Sequence, residues 1–150
     1  MERVSIIGSG TMGHSIAISL AWGNQFVKVY CINNEAAEDA LKNIDDKLEV
    51  MITHKAINLT EAEDIKNNIK LKTSLEETLS DTTFIIEAIT ENLEIKKELF
   101  NTIAEHIDDK VIVASNTSGF LPSELSSDFK YPKQFAVTHF WNPAHLIPLV

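Results

Sequence analysis

Gly8-Ser9-Gly10-Thr11-Met12-Gly13 sets three glycines between a β-branched run and an amphipathic one. Glycines so spaced permit a tight turn and let backbone N–H groups approach a pyrophosphate, while the following helix N-terminus adds a favourable dipole. Glycine-rich turns are common, so it is the strand before and the helix after that make this a dinucleotide-binding loop. Three more polar loops follow strand-like runs: Thr90-Glu91-Asn92, Ser115-Asn116-Thr117-Ser118-Gly119 and His139-Phe140-Trp141-Asn142-Pro143. Ligands of open α/β sheets bind outside the carboxyl ends of strands, so groups from four loops are expected to converge on one crevice. Oxidising an alcohol by hydride transfer also requires removing the hydroxyl proton, which a group titrating near neutrality does best. Of five histidines, His139 alone is expected at a strand's carboxyl end beside a hydroxyl-rich loop; His14 falls in the first helical turn, and His54, His106 and His145 on helix or loop surfaces. Position alone leaves His139 open between a general base and a solvated side chain.

The adenosine ribose of a bound dinucleotide is usually met by Asp or Glu about 20 residues past the glycine motif. Cys31 stands there, and its thiol cannot give the charge-assisted bidentate bonding of a carboxylate. Asn33 is the neutral substitute. No Arg follows in Ile32-Asn33-Asn34-Glu35 to receive a 2′-phosphate, so NAD is expected over NADP.

Positioning these loops requires a sheet. Arg3–Ile7, Phe26–Cys31, Lys70–Thr73, Thr83–Ala88, Lys110–Ala114 and Gln134–Thr138 read as strands separated by amphipathic segments, an alternation that implies a parallel sheet wrapped by helices. Met12, Ile16 and Leu20 recur every four residues before Gly23 closes the first helix. Ala37, Leu41, Ile44, Leu48 and Met51 form the stripe of a long helix from Asn34 to about His54, and Thr60 with Glu63 suits the capping box of a second. Ile95, Leu99, Ile103 and Ile107 are spaced to share the buried face of a helix over Asn92–Ile107, and Pro122 fits the first position of a short one. The fold expected is α/β, a Rossmann-type doubly wound, mostly parallel sheet with an inserted helical pair after the second strand. Residues 1–150 read as one domain, and the apolar run Leu146–Val150 looks cut in the middle of an element.

A net charge of −9 without a run of Lys or Arg disfavours nucleic acid and anionic membrane, leaving a small molecule as the expected ligand. One cysteine precludes an internal disulfide, and no apolar run reaches the roughly 18 residues of a membrane span; a cytoplasmic protein is expected.

Taken together, Gly8 to Gly13, Glu87-Ala88-Ile89-Thr90-Glu91-Asn92-Leu93 with Lys96, Ser115-Asn116-Thr117-Ser118, and His139-Phe140-Trp141-Asn142-Pro143 resemble the 3-hydroxyacyl-CoA dehydrogenase family along essentially the whole chain. The resemblance implies NAD as cofactor and oxidation of an L-3-hydroxyacyl-CoA in fatty-acid or short-chain acyl-CoA metabolism. It implies His139 as base, Ser118 touching both the substrate's 3-oxygen and the nicotinamide, Asn142 at the nicotinamide, and Glu91 and Lys96 at the nicotinamide ribose and neighbouring cofactor. Asn116 is expected to hold its loop. The family also implies a C-terminal helical domain, a homodimer, and a Glu one residue past Val150 that orients the base, so these 150 residues alone are expected to bind NADH weakly and turn over little. Two departures matter: Cys31 replaces the family's Asp, and Asp45-Asp46-Lys47 is acidic where CoA-using members carry lysines. Phe120–Leu125 and Ile147–Val150 also look similar to relatives acting on free hydroxy acids such as carnitine or gulonate. A non-catalytic dinucleotide sensor is the alternative from another class.

Overall fold

The computed structural model describes residues 2–150. The chain runs β1 (Arg3–Ile7), α1 (Thr11–Trp22), β2 (Phe26–Tyr30), α2 (Asn34–Thr53), α3 (Leu59–Asn68), β3 (Ile69–Lys72), α4 (Leu75–Leu79), β4 (Phe84–Glu87), α5 (Leu93–Ala104), β5 (Ile112–Ser115), α6 (Pro122–Leu125) and β6 (Phe135–Val137). The six strands form one sheet in the order β3-β2-β1-β4-β5-β6, every pair parallel. Strand β1 keeps its expected bounds, and those of the other five differ by one or two residues.

The alternation of side chains across the pleat explains why the central strands read as unbroken apolar runs. Ile6 and Ile86 point into the core beneath α1, α2 and α3, with Ile16, Ile44, Leu48 and Ile65. Their neighbours Ile7 and Ile85 point into the opposite core, with Leu79, Phe100, Ile103 and Leu125. Helices on both faces leave only the strand ends free for polar loops.

Three helix expectations are corrected. Asn58 and Glu61 form the capping box of α3, not Thr60 and Glu63. Both pairs have the right spacing, but buried Ile57 before the cap and buried Ala62 after it staple the earlier register. On α2 the buried stripe is Ala40, Ile44, Leu48 and Met51, while Leu41 is 47 % exposed. On α5 Ile95 is 46 % exposed and Lys96, Phe100, Ile103 and Ala104 turn inward. Helix α4, capped by the Ser74 hydroxyl, was not expected, since five residues are too few to show a period. Pro122 does open α6.

Candidate functional site

Every loop singled out in the sequence lies at the carboxyl end of its strand, on one rim of the sheet. There, between β1 and β4, a crevice of about 360 Å³ is lined by Gly10, Thr11, Met12, Ala88, Ile89, Thr90, Glu91, Asn116 and Ser118. A hollow of about 480 Å³ elsewhere is lined by Glu2, Val4, Leu20, Gln25, Phe84, Ile86, Thr138 and Phe140, a largely apolar set whose one ionisable side chain is Glu2.

The three glycines of the first loop do different work. Gly8 has φ of +111°, and a Cβ there would come within 2.6 Å of the Ala88 carbonyl oxygen. A Cβ on Gly13 would lie 1.8 Å from the Gly8 carbonyl oxygen, so α1 packs directly on the turn. A Cβ on Gly10 would meet nothing within 4 Å: the backbone there borders open space. Gly10 caps α1 without a side-chain bond, the first turn holds no acidic residue, and the first intrahelical bond runs from His14 N–H to Gly10. The amides of Thr11, Met12 and Gly13 thus have no helical partner, and Gly10, Thr11 and Met12 line the crevice, a cradle that fits a dinucleotide pyrophosphate. Ser9 is tied in place, because the His14 ring approaches its carbonyl oxygen through Nδ1 at 3.2 Å.

The expected ribose contact at Cys31 is not available in this structure. Its thiol is fully buried and directed at the Val29 carbonyl, and burial pushes its pKa up. Asn33 is exposed; its Oδ1 accepts from the Ala36 N–H to cap α2, which leaves its amide NH₂ free for a ligand.

Lys96 also departs from expectation. It has no exposed surface, and its Nζ lies 2.5 Å from Glu87 Oε1 and 3.2 Å from Glu91 Oε2. Its charge is spent on two carboxylates, so it reaches the crevice only through Glu91. Sequence reasoning missed Glu87, which is wholly buried at the end of β4 and accepts from Lys96, the Ile89 N–H at 2.7 Å and the Ser115 hydroxyl. An acid closing an apolar strand, nine residues before a lysine on an otherwise apolar helix face, was the available signal.

Glu91 is half exposed at the crevice. Its Oε1 accepts from the Thr117 hydroxyl and, at 3.3 Å, from the Ser118 N–H. Desolvation is the largest influence on its carboxyl and pushes the pKa up, but the bonds from Thr117, Lys96 and Ser118 together hold it below the usual range. Ser118 itself lies exposed in the lining.

His139 and Asn142 lie on the adjoining loop after β6, exposed and outside that lining. Asn116 holds this loop to the one after β5, its Oδ1 accepting from the Phe140 N–H at 2.9 Å. The ring of Trp141 lies 6.4 Å from that of His139. His145, expected on a surface, is buried, because the last segment folds back over the core that contains α1. Burial, the nearby Lys47 and His14 lower its pKa.

Residues 3–150 match the family model described as 3-hydroxyacyl-CoA dehydrogenase, NAD binding domain. The human lambda-crystallin homolog is 35 % identical over 98 % of this chain and 46 % of its own length. A probable 3-hydroxybutyryl-CoA dehydrogenase of Bacillus subtilis is 32 % identical over 100 % of this chain and 52 % of its own. The crystal structure of 3-hydroxybutyryl-CoA dehydrogenase from Escherichia coli superposes with a TM-score of 0.92 at 32 % identity, covering 97 % of this chain and 31 % of that one. The chain thus spans about half or less of the length of these relatives.

Proposed function

Since the chain belongs to the 3-hydroxyacyl-CoA dehydrogenase family, as its NAD-binding domain, we propose that it is the cofactor-holding half of an enzyme that oxidises an L-3-hydroxyacyl-CoA to the 3-ketoacyl-CoA. The observation that carries this reading is the single crevice in which the open backbone at Gly10 adjoins Glu91 and Ser118. NAD, when bound, supplies the hydride acceptor. The amides of Thr11 to Gly13 hold its pyrophosphate, Asn33 its adenosine ribose, and Glu91, with Lys96 behind it, the nicotinamide ribose; Asn142 contacts the nicotinamide. His139 takes the substrate's hydroxyl proton, so that the oxygen can form the carbonyl as the hydrogen on carbon 3 departs with its electron pair. Ser118 donates to that oxygen and holds it in register. Titrating the NADH fluorescence of the chain tests the cofactor half, with weak but saturable binding expected. Failure to bind at millimolar NADH would overturn the proposal.

A free 3-hydroxy acid is the second reading of the substrate, and the surface of α2 favours it. Asp45 and Asp46 flank Lys47, and Asp45 is itself paired with Lys66 of α3 at 2.6 Å, so little free positive charge awaits the phosphates of CoA. Assaying the whole protein decides between them: turnover of carnitine or a sugar acid, with none of acetoacetyl-CoA, would exclude the thioester. Homodimerisation of the whole protein belongs to the same proposal and is checked by sedimentation.

A further inference from the structure

Burying a lysine and a glutamate together is seldom better for stability than apolar packing of the same volume, so the Lys96–Glu87 pair has no evident stability rationale where it sits. Glu87 ends β4 and Ser115 ends β5, and the two are register partners in the sheet. The Ser115 hydroxyl donates to one oxygen of Glu87; Lys96 and the Ile89 N–H donate to the other. The same ammonium reaches Glu91, which takes bonds from the Thr117 hydroxyl and the Ser118 N–H. These contacts close a ring that leaves the end of β4, passes through α5 and the loop after β4, and returns through the loop after β5 to the end of that strand.

We propose that Glu87 is a positioning residue: by neutralising Lys96 inside the domain it fixes the ammonium where it holds Glu91, and Glu91 in turn sets Ser118 in the crevice. This rests on the dinucleotide reading of the crevice given above. Only one carboxylate of the three charged groups, that of Glu91, is exposed, so the ring presents a single negative charge whose direction is set from behind. A ribose hydroxyl needs such a fixed acceptor, and a reacting oxygen needs a donor that does not wander.

The test compares Glu87→Gln, Lys96→Met and the double variant in the full chain. Glu87→Gln keeps the shape but leaves the buried ammonium with the half-exposed Glu91 as its one carboxylate partner among the described residues, so a lower melting temperature is expected. The double variant leaves no unpaired buried charge and is expected to recover most of that loss. Recovery of stability must not restore the site if Glu87 positions it. Amide exchange at Thr117 to Gly119 is expected to stay at least tenfold faster than in the parent, and NADH binding at least tenfold weaker. Parental exchange rates there in the folded double variant would overturn the proposal and leave the pair a packing device. Exchange needs no cofactor, so a parent chain that does not bind NADH would sink the dinucleotide reading while the exchange result still decides the role of Glu87.

Discussion

A methyl group added at Gly8 would press on the Ala88 carbonyl from a backbone with φ of +111°, whereas one added at Gly10 would stand in open space. Gly8→Ala is therefore expected to cost on the order of 1–3 kcal/mol, read as a lower urea midpoint. Gly10→Ala should leave stability within about 0.5 kcal/mol, since its φ of −66° suits any residue, yet weaken NADH roughly tenfold by filling the pyrophosphate cradle. Equal effects on folding and binding at both glycines would show the cradle to be misplaced. On the proposed reading, His139→Ala in the whole protein is expected to lower kcat by about 10²- to 10⁴-fold with the NADH dissociation constant unchanged. Unaltered turnover would remove His139 from the chemistry, and a whole protein that binds NADH without any turnover would be the sensor. His14 and His145 give a pH signature of their own. Burial, with Lys47 nearby, lowers both pKa values, so near pH 6 the unfolded chain binds more protons than the folded one. Melting temperature should accordingly be highest above about pH 6.5 and fall as the pH drops from there toward the folded-state values; His14→Gln combined with His145→Gln should flatten that slope. At this scale the glycine loop was legible from types and spacing, whereas the roles given to His139 and Ser118 rest on the family resemblance. The burial of Cys31, Lys96 and His145 was not, since it is decided by segments that meet only in the folded chain.

The helices separate what spacing reveals from what packing decides. Asn58 and Thr60 each stand three residues before a glutamate, and only the first caps α3. Asn58→Ala should destabilise by about 1 kcal/mol, a fall of roughly 2–4 °C in Tm for a domain of this size, while Thr60→Ala should stay within about 0.5 kcal/mol. The reverse ranking would put the helix start two residues later. All six strands and the long helices were legible from alternation and periodicity; β1 kept both ends, the other strands moved by one or two residues, and α5 stops at Ala104, three residues before the expected Ile107. On α5 the buried face includes Lys96, which pairs with Glu87 nine residues earlier at the end of β4, a partner that the apolar period of the helix does not register. Three of the four rim loops meet in the crevice as expected, whereas the loop after β6, with His139 and Asn142, stands beside it and outside the lining.

At the scale of the molecule, a net charge of −9 faces an anionic dinucleotide. The attraction at the start of α1 is local, whereas the repulsion acts over the whole approach and is screened beyond roughly 8 Å at 0.15 M salt. The association rate of NADH should therefore rise with ionic strength; a fall would reveal a positive path that the charge count conceals. Among the described residues, no helix is long and apolar enough to cross a membrane. The central place of β1 has a temporal consequence. Val4 pairs on one side with Val27 and on the other with Phe84, 80 residues further along the chain. A ribosome adding about 5–20 residues per second leaves the first strand without its second neighbour for roughly 4–16 s. Throughout that interval the nascent Val4-Ser5-Ile6-Ile7 run has at least one bare edge, which makes it the natural stretch for a chaperone to shield until β4 emerges.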